Sequence, residues 1–257
     1  MGATSGIGEQ LARDFAAKGW TVGAAGRNEQ KLRELKDEFP GKAVDVTPAG
    51  ATAGKVVARQ IDITRRDAVE GMEELIEEMG GMDLYCHVAG VGFDNVNLET
   101  EAEIKTLEVN AVGFTRMVDT AFRYFRDANG GEGRIAAITS VAGTNGIANM
   151  ASYSATKAYQ QVYLRALRQL VRVEKLKITI TDIRPGWIRT PLIAPDERPA
   201  MEMQPDYAVK RIGRAVEHGG RVRVVDWRWN LIVGLWRMVP NWLWERLPLR
   251  IRGLKSV

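Results

Sequence analysis

The sequence predicts a single α/β domain built on a doubly wound parallel sheet, and three observations carry that prediction. A length of 257 residues is usual for one α/β domain and long enough to bury a large core. The chain opens on Met1-Gly2-Ala3-Thr4-Ser5-Gly6-Ile7-Gly8, and Ile7, Leu11 and Phe15 then recur at helical spacing with Ala12 and Ala16 beside them, so a glycine turn runs straight into a helix. Short apolar strands alternate with helical stretches along the rest of the chain.

Taken in order, Thr21 to Ala25 is a short strand ending in Gly26-Arg27-Asn28, and Glu29 to Phe39 is a charged helix. The stretch from Gly41 to Gly54, rich in Gly, Pro, Ala and Thr, reads as a loop or surface hairpin. Val56 to Ile63 is a strand closing in Asp62-Ile63; Asp67 to Met79 is a helix that leads through Gly80-Gly81 to the strand Leu84 to Val88 and the turn Ala89-Gly90-Val91-Gly92. Glu101 to Ala128 is helical in period, with Ile104, Leu107, Val112, Met117 and Phe122 as its apolar positions. A glycine turn at 130–133 precedes the strand Arg134 to Thr139, which delivers Ser140. The helix from about Ala151 to Val173 repeats Tyr159, Val162, Tyr163, Ala166, Leu167 and Leu170 at helical spacing. Lys177 to Ile183 is a strand ending in Arg184-Pro185-Gly186-Trp187-Ile188-Arg189-Thr190-Pro191. Leu192 to Pro205, rich in Pro, Met and charge, reads as a mobile loop closing over substrate. Asp206 to Glu217 is a helix and Arg221 to Val225 a last strand, so 1–226 forms the domain and 227–257 a tail.

Composition narrows the class of function. Lys plus Arg is 36 against 32 for Asp plus Glu, a net charge of +4, too mild to point to nucleic acid as a partner. One cysteine, Cys86, rules out an intrachain disulfide, suits a reducing, cytoplasmic setting, and lies in an apolar pattern that reads as core. His87 and His218 are the only histidines, with no paired spacing that would hold zinc, so no metal site is expected. No window is apolar enough to cross a bilayer. The tail holds five of the seven tryptophans among arginines; packing on the domain is the first expectation for it, and peripheral contact of 227–252 with a membrane surface the second.

The chemistry-bearing stretch is Ser152-Tyr153-Ser154-Ala155-Thr156-Lys157. Residues four apart share a helix face, so Tyr153 and Lys157 can address one partner. An ammonium close to a phenol, whose ordinary pKa is about 10, is expected to lower it and make the tyrosine usable as acid or base. Ser140 stands at a strand's carboxyl end, where a hydroxyl can face a ligand crevice, and Asn110 lies in an otherwise half-apolar helical run. At the N-terminus, glycines would let backbone approach a pyrophosphate held by the helix's free N–H groups. Arg27 follows a strand where an acid would bind the ribose of NAD and an arginine accommodates the extra phosphate of NADP.

The Gly2, Gly6, Gly8 spacing together with Asn110, Ser140, Tyr153 and Lys157, in this order along the chain, resembles the short-chain dehydrogenase/reductase family over essentially its whole length. The resemblance implies a Rossmann-type fold that binds NAD(P)(H) and exchanges hydride between it and a carbonyl/secondary alcohol pair in a small molecule, usually as a homo-oligomer; Arg27 makes NADP(H) the expected cofactor ahead of NAD(H), and the apolar tail suits a hydrophobic substrate. By the same resemblance Tyr153 moves the proton, Ser140 binds the substrate oxygen, Lys157 binds the nicotinamide ribose and Asn110 kinks its helix and anchors a relay water. Gly2, Ser5, Gly6, Ile7 and Gly8 would form the pyrophosphate turn. Asp62 and Ile63 would meet adenine, Ala89 and Gly90 would line the cofactor, and Pro185, Gly186, Ile188 and Thr190 would meet the nicotinamide. A cofactor-binding protein without turnover, or an epimerase or dehydratase using the same Tyr and Lys, are the alternatives. The chain departs from the family in two places: His87-Val88-Ala89-Gly90 stands where Asn-Asn-Ala-Gly is usual, and the chain begins at the glycine turn, so the sheet is expected to lack its first strand.

Overall fold

Apolar strands and amphipathic helices sort the chain into three layers, with parallel strands between two sets of helices. The computed structural model describes residues 1–41, 54–250 and 253–255, and the expected loop or hairpin before Gly54 lies outside the described residues. The elements are α1 (Gly6–Ala17), β1 (Thr21–Gly26), α2 (Glu29–Glu38), β2 (Lys55–Gln60), α3 (Ala68–Met79), β3 (Leu84–His87), α4 (Thr100–Leu107), α5 (Phe114–Arg123), β4 (Glu132–Ile138), α6 (Ala151–Val173), β5 (Lys177–Pro185), α7 (Pro205–His218), β6 (Val222–Val225), α8 (Trp227–Trp236) and α9 (Asn241–Trp244).

β1 pairs with β2, and β3, β4, β5 and β6 pair in that order, all in parallel. Residues 1–3 carry backbone hydrogen bonds to both sets. The Met1 amine donates to the Cys86 carbonyl at 2.9 Å and Val88 N–H donates to the Met1 carbonyl at 3.0 Å, while Gly2 and Ala3 N–H both donate to Ala25 at 2.8 and 2.9 Å. Beyond that bridge, a cleft of about 740 Å³ separates β1 from β3, walled by Phe15, Val22, Leu75, Met79 and Leu84. Among the described residues no strand fills it, and Cys86, half-buried, lines it while packing against the core. The chain runs outward from β1 to β2 and then returns to β3 on the other side. Strand order therefore reverses at this seam, which is where ligands of open α/β sheets bind, outside the carboxyl ends.

One face of the strands is covered by α3, α5 and α6, through Met72, Phe114, Met117 and Leu164 against Val57 and Ile135. The other is covered by α1, α7 and α8, through Leu11, Ile212 and Trp229 against Ile138 and Ile183. Each such side chain contributes about 1.5–3 kcal/mol by leaving water. The helical run after Thr100 departs from even spacing, because π-type turns at Glu108–Gly113 and Tyr124–Ala128 rotate it. Of the apolar positions in this run, Ile104, Leu107 and Val112 are exposed, and Met117 and Phe122 carry the buried face. In α6, Tyr159 and Val162 also face outward, and the inner face of its first half is polar, with Thr156, Lys157 and Gln160 buried.

The tail packs first: Trp229 and Val233 of α8 join the core beneath β5 and β6. Its outer face is apolar as well, with Trp227 73% and Leu231 60% exposed, so α8 is not the amphipathic helix that a membrane surface selects. No helix among the described residues is long and apolar enough to cross a membrane. The segment expected as a mobile loop is tied down by Met203 N–H to Trp187 O at 2.8 Å, Arg189 N–H to Met203 O at 3.1 Å and Ala194 N–H to Gly253 O at 2.8 Å.

At the centre of β5, Asp182 and Arg184 form a buried ion pair, Nη2 to Oδ2 at 2.5 Å, and the Thr139 hydroxyl donates to Asp182 at 2.6 Å. Removing one partner strands the other charge in a low-dielectric site. Asp182→Ala should lower stability by about 3–5 kcal/mol in urea unfolding; a loss under about 1 kcal/mol would show the pair to be as weak as a solvated one.

Candidate active site

The site is assembled from strand ends. A groove of about 200 Å³ passes Gly2, Ser5, Gly6 and Ile7 of the first turn, Arg27 after β1, Asp62 and Ile63 after β2, Ala89 and Gly90 after β3, and Thr190. It continues through Ile7, Gly90 and Thr190 into a chamber of about 520 Å³ that holds Ser140, Tyr153 and Lys157 with Pro185, Gly186 and Ile188. Sixteen of the eighteen residues singled out in the sequence thus line one connected cavity. Two do not. Gly8 lies beneath the turn, where a Cβ would stand 2.0 Å from the Gly2 carbonyl oxygen. Asn110 is buried behind the chamber.

The N-terminal turn fits a dinucleotide phosphate on two grounds. α1 begins at Gly6 with no side chain capping its free N–H groups, since Ser5 makes no capping bond, so the positive end of the helix opens on the groove. Gly2 has φ +91°, and a Cβ there would come within 2.6 Å of Ala89 N. At the far end, Arg27 is exposed beside the groove, whereas the Asp62 carboxylate is engaged by the Thr64 N–H and hydroxyl at 3.0 and 2.8 Å. Asp62 therefore does local capping work as well as lining the groove.

Lys157 is fully buried and donates to the Ile138 carbonyl and to Gln160 Oε1, both at 3.2 Å. Burial lowers its pKa to about 8, against an opposing pull from Asp182. Tyr153 moves the other way from the expectation: burial raises the phenol above its ordinary value, and a hydrogen bond with Ser140 only partly offsets this. The ammonium lies 5.7 Å from the ring centre with its protons directed to neutral acceptors, so desolvation outweighs its pull on the phenol. Ser140 Oγ also accepts from Ala142 N at 3.1 Å, and the Ser140 carbonyl accepts from Gln161 Nε2 at 2.7 Å. The loop that carries Ser140 is small because α6 lies on it; a Cβ at Gly143 would approach the Lys157 carbonyl carbon to 2.7 Å.

Asn110 sits in the π-type turn, a feature frequent at functional sites. Its side chain receives Val91 N–H at 2.9 Å and donates to Val91 O at 2.7 Å and Thr156 Oγ1 at 3.3 Å, which locks the loop after β3 to α6. Its carbonyl accepts from Gln160 Nε2 at 2.8 Å. Gln160, Gln161 and Thr156 were not found from the sequence. Their signal was the 157-160-164-167 spacing of the buried face of α6, hidden by polar residues among the apolar ones. His87, fully buried, has its pKa lowered by burial to about 3 and is neutral; its Nδ1 pairs with Tyr85 OH at 2.8 Å. No group of three His, Cys, Asp or Glu side chains among the described residues could hold a metal ion.

With this geometry in place, the comparisons are direct. The profile of the short chain dehydrogenase family matches residues 1–200, and the chain belongs to that family. An oxidoreductase of Myxococcus xanthus is 29% identical over 98% of this chain and 95% of its own length, and one of Mycobacterium tuberculosis is 30% identical over 95% and 94%. Among solved structures, a short-chain type dehydrogenase/reductase from Mycobacterium ulcerans superposes with TM-score 0.72 over 96% of both chains at 22% identity. A short-chain dehydrogenase from Sphingobium yanoikuyae in complex with NADPH gives 0.71 over 93% of this chain and 94% of its own, also at 22% identity. The protein is an NAD(P)-dependent oxidoreductase with a Rossmann-type fold.

Gly8→Ala should weaken NADPH binding at least about tenfold, because the turn must open to clear the Gly2 oxygen. Nicotinamide fluorescence titration checks this with circular dichroism as the control for folding; an unchanged dissociation constant in a folded variant would refute it.

Proposed function

We propose that the protein is an NADP(H)-dependent reductase of uncharged carbonyl compounds, with Tyr153 as the proton donor. The single observation that carries this is the Ser140–Tyr153–Lys157 constellation at the point where the groove enters the chamber. When bound, the nicotinamide supplies the hydride; the protein supplies position and proton. Tyr153 gives its phenolic proton to the substrate oxygen as negative charge builds there, and Ser140 hydrogen-bonds the same oxygen. A phenol held protonated by burial is in the right state for reduction, and the same group runs the reverse reaction once it has lost its proton. Lys157, cationic below about pH 8, provides the positive field that stabilises the tyrosinate left behind.

Arg27, exposed where the groove ends, is the reason for preferring the 2′-phosphate of NADP(H) to NAD(H), and no acid adjoins it in sequence. Gly2, Ser5, Gly6 and Ile7 would hold the pyrophosphate, Asp62, Ile63 and Ala89 the adenine half, and Pro185, Gly186, Ile188 and Thr190 the nicotinamide. Self-association is part of the reading: Ile104, Leu107, Val112, Tyr159 and Val162 leave an apolar surface on α4, the following turn and α6 that water disfavours.

The test is turnover. Tyr153→Phe should lower kcat for ketone reduction by about 10²–10⁴-fold, the range for loss of a general acid, and leave NADPH affinity within about twofold. The wild-type enzyme should use NADPH at higher kcat/KM than NADH. Loss of less than tenfold in kcat would sink the assignment of Tyr153, and substrate conversion without net NADPH oxidation would favour an epimerase or dehydratase.

A further inference from the structure

Much of the chamber's far wall comes from residues beyond 200, where the family match ends. Trp229, Ile232 and Trp236 of α8 and Leu254 from the end of the chain face it, with Trp187 and Ile193 from the segment after β5. Leu254 is held from two sides, Gly253 O by Ala194 N–H at 2.8 Å and Lys255 O by Asp94 N–H at 2.9 Å, and it packs against Tyr153. Trp229 and Trp236 pack edge to face at 6.4 Å, and Trp236 meets Trp244 at 5.5 Å. Apart from indole N–H groups, among them the unpartnered Trp229 Nε1, the polar side chains of the lining are Thr139, Ser140, Tyr153, Lys157 and Thr190. Among the described residues its one cation, Lys157, already donates to Ile138 and Gln160, and no carboxylate or arginine lines the chamber. An anionic group deep in this space would be desolvated without a partner.

We propose that the chamber selects uncharged carbonyl compounds with a bulky apolar body, and that Trp229, Trp236 and Leu254 set the size accepted. This rests on the reductase reading above. Each methylene moved from water into the chamber should raise kcat/KM about fourfold until the wall is reached. The experiment follows NADPH oxidation by the full chain with methyl ketones of increasing length and keto acids of matched length. Ketones should exceed matched acids by at least about 100-fold, and Trp236→Ala should admit longer ketones while NADPH affinity stays unchanged. A preference for keto acids, or a rate that falls from the shortest ketone onward, overturns the proposal. Quenching of tryptophan fluorescence by the same two series reads binding directly. If neutral ketones bind and acids do not, yet none is reduced, the reductase reading fails and the chamber assignment stands.

A second inference rests on a different observation. Gln160 is fully buried and both ends of its amide are engaged: Oε1 accepts from Lys157 and Nε2 donates to the Asn110 carbonyl. The two partners, one only a donor and one only an acceptor, fix the amide's orientation. The position implied for a relay water between Asn110 and Lys157 is thus bridged by a side chain. We infer that Gln160 is a positioning residue, holding Lys157 against the π-type turn and presenting it with a neutral acceptor. The other titratable or charged groups about Lys157 are Tyr153 on α6, Asp182 and Arg184 on β5, and His87 on β3, which is neutral.

The test is the pH profile of ketone reduction. Lys157 is charged below about pH 8, so wild-type activity should fall as pH rises through that value. Gln160→Glu places a carboxylate on the ammonium and should move this alkaline limb up by about one unit or more. Gln160→Leu removes the acceptor and should move it down, with kcat lowered at least about tenfold. Variants that lose thermal stability but keep the wild-type limb would reduce Gln160 to a structural role and overturn the inference.

Discussion

A buried ammonium with only neutral acceptors is the constraint on which this site depends. Lys157 reaches the end of β4 through the Ile138 carbonyl and the π-type turn through Gln160, so three elements converge on one nitrogen. Desolvation has to be met by geometry here, because the nearest opposing charge, Asp182, is already paired with Arg184. Small residues follow from the same requirement. Gly143 lets α6 approach the loop after β4, and Gly90 lies where a Cβ would stand 3.4 Å from Nζ and 3.3 Å from Asn110 Oδ1. The polar inner face of α6 is the result of seating a charge inside the fold.

The loop after β3 shows how a departure from a family pattern is absorbed. The chain carries His87-Val88-Ala89-Gly90 in place of the usual asparagines. Val88 N–H instead bonds the Met1 carbonyl, and Asn110 clasps both the N–H and the carbonyl of Val91. The backbone groups of this loop are thus satisfied from the neighbouring helix and the N-terminal turn. His87 points inward, where Phe114 packs edge to face at 5.0 Å, and takes no part in the groove.

Much of this is legible in the amino-acid sequence. The alternation of strands and helices placed nearly every element to within a few residues, and the motif residues fall on strand ends and helix starts, where spacing alone puts them. What periodicity could not read was polar satisfaction. Tyr159 and Val162 look like core at helical spacing, yet Lys157 and Gln160 own that face because a charge and its partners must be inside. Ile104, Leu107 and Val112 stand at helical spacing and yet are exposed, and no composition signal announces the wide turn at Asn110. The sign of the Tyr153 shift was misread because spacing reveals a nearby cation but not how dry the site is.

The seam between β1 and β3 gives the molecule a division of labour. Arg27, Asp62 and Ile63 stand on the side of β1 and β2; Ser140, Tyr153, Lys157 and Ile188 stand on the side of β3 to β6. A dinucleotide lying along the groove would cross from one half-sheet to the other. Its binding energy would then count toward holding the halves together, since a ligand bound only by the joined state stabilises it by mass action. Such a ligand would touch residues from both half-sheets at once, so groups far apart in the chain would act on one molecule.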